Sequence, residues 1–239
     1  MYKVEPVIGC NTKPSELILK YPDLLEALDH LNIKLGFGEE TSKELTDRHN
    51  INFEAFSVIV HTYCDQLSPE KIIKKEALGD LLVFLRNSHN DFKKNQIPEL
   101  KKLIALFADE IPDKHGKVLI SFFDEYINEV FDHFKYEDET VFPYIETILE
   151  NRRTNGFAML EFEKNHTDIE QKLLDLKNIL IKYIPEESYS ELRRQILRYL
   201  FDFEKQLFFH TKLENHVLTP SVKKFEKKER RGNTSKQTT

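Results

Sequence analysis

The chain is poor in residues that cross-link, turn or span. Cysteine occurs twice in 239 residues, at Cys10 and Cys64, with no C-x-x-C pair. That excludes a disulfide framework and a thiolate zinc site, so any metal must be held by histidine and carboxylate. Seven glycines and nine prolines leave little material for hairpin turns. No run approaches the roughly 18 apolar residues of a membrane span. The opening "MYKVEPVIGCNTK" carries Glu5 and lacks an apolar stretch, so the expected location is the cytoplasm, with no membrane partner. A formal charge of -6 gives no chain-wide footprint for nucleic acid, and the basic end "KKFEKKERRGNTSKQTT" reads as a solvated, disordered tail.

What is present is 40% hydrophobic and 32% charged residues, with the apolar ones at helical spacing, which predicts an all-α chain. To about residue 67 the pattern is of short helices divided by Pro14, Pro22 and "LGFGEETS". Thr41 with Glu44 forms a capping-box pattern, and Asn52 stands as the cap of "FEAFSVIVHTYC". Ser68 and Pro69 read as the start of a further helix. Four long amphipathic segments follow. They open at Ala77, interrupted at Pro98, then at Asp113, at Phe157 and at Tyr189, and short connections make them an up-down four-helix bundle. The expected organisation is a helical N-terminal module over 1–67, the bundle over 68–225 and the tail over 226–239.

A repeat organises the bundle. "HFKYEDETVFP" from His133 returns as "HTKLENHVLTP" from His210, and "SHNDF" with His89 returns as "NHTDI" with His166. Both separations are 77 residues, and in each copy the two histidines stand 44 apart. Each half is therefore an αα-hairpin with one histidine on its first helix and a histidine plus glutamate on its second. His133 and Glu137 lie at i and i+4, as do His210 and Glu214, so each pair shares one helical face. That face is inward, since Val130 and Val141 continue the first row and Leu207, Val217 and Leu218 the second.

A single histidine on an apolar face is more often a core residue than a ligand, and i,i+4 His/Glu pairs arise by chance in a charged chain. Four histidines, one per helix, in two register-matched copies with two glutamates defeat that alternative. A buried ionised carboxylate is costly unless it meets a cation or a full set of hydrogen bonds, and two would also repel each other, which a pair of metal ions relieves. Four imidazoles and two carboxylates without thiolate suit iron, manganese or zinc. Ferritin-like bundles use Glu-x-x-His, and this motif runs in the other order. His30, His49, His61, His115 and His216 have no symmetric partners and read as structural or exposed.

With those residues placed, the chain resembles the haemerythrin-like, or HHE cation-binding, family, and within it the Repair of Iron Centres proteins. The resemblance implies a non-haem di-iron centre, oxo- or hydroxo-bridged, with His89, His133, His166 and His210 as terminal ligands and Glu137 and Glu214 as bridges. It further implies a role in repairing iron-sulfur clusters after oxidative or nitrosative stress. The partners implied are a small diatomic or peroxide ligand, iron-sulfur clients and an electron donor. A sensing module without turnover is the other function such a centre would serve. The family's adjacent cysteines before the Gly-rich turn are replaced here by Gly36 and Phe37.

Overall fold

A computed structural model describes residues 8–150, 152, 167–185 and 190–234, and among them every regular element is helical. The short helices are α1 (Pro14–Lys20), α2 (Leu24–His30), α3 (Ser42–Arg48) and α4 (Phe53–Tyr63). The long runs are α5 (Lys75–Asp91) with α6 (Ile97–Glu110), α7 (Asp113–Tyr136) with α8 (Phe142–Leu149), α9 (Thr167–Asn178), and α10 (Ser190–Leu213) with α11 (Thr219–Thr234). The result is the all-α architecture expected, a helical bundle preceded by a helical N-terminal region. No helix among the described residues is long and apolar enough to cross a membrane.

Local chemistry sets the helix starts. Thr41 Oγ1 accepts from the Glu44 backbone N–H at 3.2 Å, while the Thr41 N–H donates to the Glu44 carboxylate at 2.9 Å, completing the capping box. Asn52 Oδ1 accepts from the Glu54 N–H at 2.9 Å. The expected start at Ser68 and Pro69 is not used, and helix begins only at Lys75. Glu70 has a φ of 53°, which no right-handed helix admits. The Ile73 N–H donates to Ser221 Oγ at 3.0 Å and the Lys74 N–H to Glu54 at 3.2 Å, so long-range partners take donors that a first turn would leave free.

The fold divides into two compact units, one built from the described residues of 1–88, 142–159 and 209–239, the other from those of 89–141 and 160–208. In the first, α4 packs on α2 and α3, and α8 on α11. Asn87 donates to the His30 carbonyl at 2.7 Å and Arg86 pairs with Glu146 at 2.7 Å. Helix α11 continues to Thr234, past residue 226 where the sequence suggested a disordered tail. Lys, Glu and Arg are good helix formers, which favours the extension. In the second unit, α7 packs on α6 and α9. Its core is aromatic and aliphatic, with Phe92, Phe107, Phe123, Tyr126, Phe134 and Phe203 all at or below 1% exposure. Tyr126 and Phe203 occupy equivalent places in the 77-residue repeat and meet edge to face at 6.4 Å.

Among the described residues, π-helical turns occur at Phe92–Gln96, Glu137–Val141, Ile179–Tyr183, which closes the α9 run, and Glu214–Leu218. Each is followed by a proline two residues beyond its end: Pro98, Pro143, Pro185 and Pro220. A proline has no N–H to donate, and its ring collides with the carbonyl four residues back in an α-helix. Widening the preceding turn by one residue shifts that carbonyl aside and lets helix continue. The interruption expected at Pro98 thus takes the form of a wide turn, and the same device recurs beside both glutamates.

Candidate metal centre

Glu137 and Glu214 open the second and fourth of these wide turns, and both are fully buried. On α7, His133 Nε2 lies 3.1 Å from Glu137 Oε1, the i,i+4 contact expected from the spacing. The other oxygen, Oε2, lies 3.1 Å from Nε2 of His89. One carboxylate therefore presents a separate oxygen to each of two imidazoles. On α10, His210 Nε2 is 3.2 Å from Glu214 Oε1, the matching pair of the second copy. The His210 Nδ1 is bonded to Ser88 Oγ at 2.9 Å, and Ser88 immediately precedes His89 on α5. His89 and Glu137 in one compact unit are buried, as are His210 and Glu214 in the other.

This donor set suits a cation. Ligand atoms on one ion at bond lengths of roughly 2.0–2.2 Å stand about 3 Å apart, which is the spacing found here. Burial alone would lower the His89 pKa. Hydrogen bonds and charge from Asp138 and Glu137 outweigh it and raise the value to about 9. The pocket thus draws a positive charge onto its carboxylates even when that charge is only a proton. Phe134 stacks on the His89 ring at 4.2 Å, and Phe92 stacks on Phe134, so the ring is held by packing as well.

Of the six residues expected at the site, His89 and His133 meet the two oxygens of Glu137 in one unit, and His210 meets Glu214 in the other. His166 lies outside the described residues. His216 is partly exposed on the wide turn, in keeping with the outward or rim position expected of it, and His115 sits in the first turn of α7. His30 is buried against Phe84, edge to face at 5.4 Å.

Sequence reasoning passed over two side chains. Asp138 Oδ1 lies 2.9 Å from His89 Nδ1, and its Oδ2 accepts from Lys93 Nζ at 2.7 Å. Burial alone would raise the Asp138 pKa, but the bonds to His89 and Lys93 hold it below the usual carboxylate value. Ser88 occupies the same position behind His210. Both are chain neighbours of a site residue, and that adjacency was the available signal.

A bundle with inward His-x-x-x-Glu pairs defines a cation-binding helical domain. Residues 80–220 match the family described as Hemerythrin HHE cation binding domain. The chain belongs to this family. It is similar to the iron-sulfur cluster repair protein YtfE of Pectobacterium atrosepticum, 22% identical over 210 residues, covering 86% of this chain and 93% of that protein. It also resembles the YtfE proteins of Yersinia pseudotuberculosis serotype IB and Yersinia pestis strain Pestoides F. Each is 21% identical over 189 residues, covering 77% of this chain and 83% of the relative.

Proposed function

We propose that the chain is a non-haem di-iron protein that restores iron-sulfur clusters damaged by oxidative or nitrosative stress. The observation that carries this reading is the split of Glu137, one oxygen at His89 and the other at His133. A carboxylate so placed bridges two ions. With its repeat-related partner Glu214 it would hold the two ions, together with His89, His133, His166 and His210. Two irons, when bound, supply a redox couple with coordination positions open to NO or O2-derived species.

The protein's own part is to orient and to insulate. Helix α7 aims His133 and Glu137 from one face, Asp138 and Ser88 hold the far nitrogens of His89 and His210, and Phe134 covers the His89 ring. The relatives named for cluster repair extend the reading from metal binding to that role, which makes iron-sulfur proteins the clients and requires an electron donor.

The test is direct. Protein prepared without oxygen should hold two irons per chain, and should restore activity to a dehydratase whose [4Fe-4S] cluster has been damaged with NO. Less than one iron per chain, or intact loading with no restoration, would overturn the repair reading. Sustained loading with a ligand-dependent change of shape and no restoration would identify a sensor instead.

A further inference from the structure

The metal centre makes no use of the connection between α2 and α3, where Gly36 and Phe37 stand in place of the family's adjacent cysteines. That connection and the end of α3 border a cleft of about 290 Å³. Two of the side chains lining it are cationic, Lys34 and Arg48, and two more are the His49 imidazole and the Asn32 amide. No acidic side chain among the described residues lines it. Phe37, buried, and Leu35, 65% exposed, supply an apolar wall.

The polar groups here are donors in want of acceptors. Lys34 is exposed and has no ion-pair or hydrogen-bond partner among the described residues. Arg48 gives its Nε and Nη2 to a single oxygen of Glu40, at 3.2 and 2.9 Å, which fixes the guanidinium plane and leaves Nη1 over. His49 Nε2 is buried with no hydrogen-bond partner, a state that folded proteins rarely leave unmet. The backbone N–H groups of Lys34, Leu35, Gly36 and Phe37 bond to no described residue either. Gly36 has a φ of 101°, and a Cβ there would meet nothing within 4 Å, so the backbone is open to close approach. Successive N–H groups around a left-handed residue form a concavity suited to an anion. A helix C-terminus would ordinarily repel one. In α3, however, the Leu45, Thr46 and Asp47 carbonyls already accept from the His49, Ile51 and Asn50 N–H groups.

We propose that this cleft binds a small organic phosphate, with the phosphate on Lys34, Arg48 and the 34–37 backbone and a short apolar body against Leu35 and Phe37. Two fixed positive charges match a dianion. A guanidinium and an ammonium beside backbone N–H groups are the donors that phosphate oxygens take. The cleft shares no residue with the metal centre.

Phenyl phosphate titrated calorimetrically into full-length, iron-loaded protein should bind at one site per chain and leave the iron absorption spectrum unchanged. Lys34→Ala removes no contact within the described protein, and it should weaken binding by about 10-fold, the loss of one charge-assisted bond. Lys34→Arg should retain the binding. Inorganic phosphate should compete but bind more weakly, since it has no apolar body. Binding that persists undiminished in Lys34→Ala, or that perturbs the iron spectrum, would place the anion elsewhere and overturn the proposal, as would the absence of saturable binding to the wild type. Equal affinities for the two phosphates would overturn the part given to Leu35 and Phe37.

Discussion

Glu137 and Glu214 are acids at zero exposure in an apolar row, which is costly for a carboxylate unless a cation or hydrogen bonds meet it. Glu137→Ala removes one oxygen from each of two imidazoles. It should reduce bound iron to one ion per chain or fewer, measured on purified protein by metal analysis. His216→Ala, on the partly exposed side of the same wide turn as Glu214, should leave loading unchanged, and the opposite pattern would mean that the binding face is misassigned. The two thiols also separate at this scale. Cys10 is exposed, whereas Cys64 is buried, and burial, slightly opposed by the charge of Lys20, pushes its pKa up to about 11. At pH 8 only about one Cys64 in a thousand is a thiolate. One thiol per folded chain should react promptly with a disulfide reagent and the second only after denaturant is added. Prompt reaction of both would show that the N-terminal helices open readily. With Gly36 and Phe37 in place of the family's adjacent cysteines, Cys10 is left as the exposed thiol.

Single contacts decide how the elements begin and meet. Gly116, in the first turns of α7, faces the backbone of α6, where an added Cβ would stand 2.5 Å from the Ala108 carbonyl oxygen. Helix propensity favours alanine over glycine by about 1 kcal/mol. The clash is with backbone that has no rotamer to retreat into, and overpacking of this kind costs about 1–3 kcal/mol. Gly116→Ala should therefore lower the urea midpoint, and a raised midpoint would show that the α6–α7 turn yields freely. Thr41→Ala, which opens the α3 capping box, should cost about 1 kcal/mol by the same measurement. The capping box, the Asn52 cap and the inward stripes of α5 and α7 were legible because each depends on residues within one or two turns. The false start at Ser68 was not, because the partners that claim the Ile73 and Lys74 donors, Ser221 and Glu54, are remote in sequence. Nor were the wide turns, since five residues are too few to tell a five-residue period from a four-residue one. Their only trace is the proline six residues after Glu137 and again after Glu214, and its part in the motif is to reset the helix just where the bridging acid sits.

Across the molecule, the candidate ligands span from His89 to Glu214, and it was their repetition at a fixed interval, more than any single motif, that made the site legible. Asp138 and Ser88 carried no such signal, since neither recurs at that interval. A metal held by residues so far apart in sequence is bound by the folded state and scarcely by the unfolded chain, so loading must stabilise the fold. With free metal at about 1,000 times its dissociation constant, that linkage amounts to roughly 4 kcal/mol. For a domain of 150–250 residues each kcal/mol shifts the melting temperature by about 2–4 °C. Anaerobic removal of iron should therefore lower the midpoint by roughly 8–16 °C, and restoring ferrous iron should return it. Two buried carboxylates remain after removal, so the apo protein should keep its helices but lose cooperativity nearest Glu137 and Glu214. Amide exchange should show this as protection lost first across the turns 137–141 and 214–218, with the core around Tyr126 and Phe203 retained. Equal melting temperatures for loaded and stripped protein would show that the acids are satisfied without a cation, and would remove the energetic basis for a metal at this site.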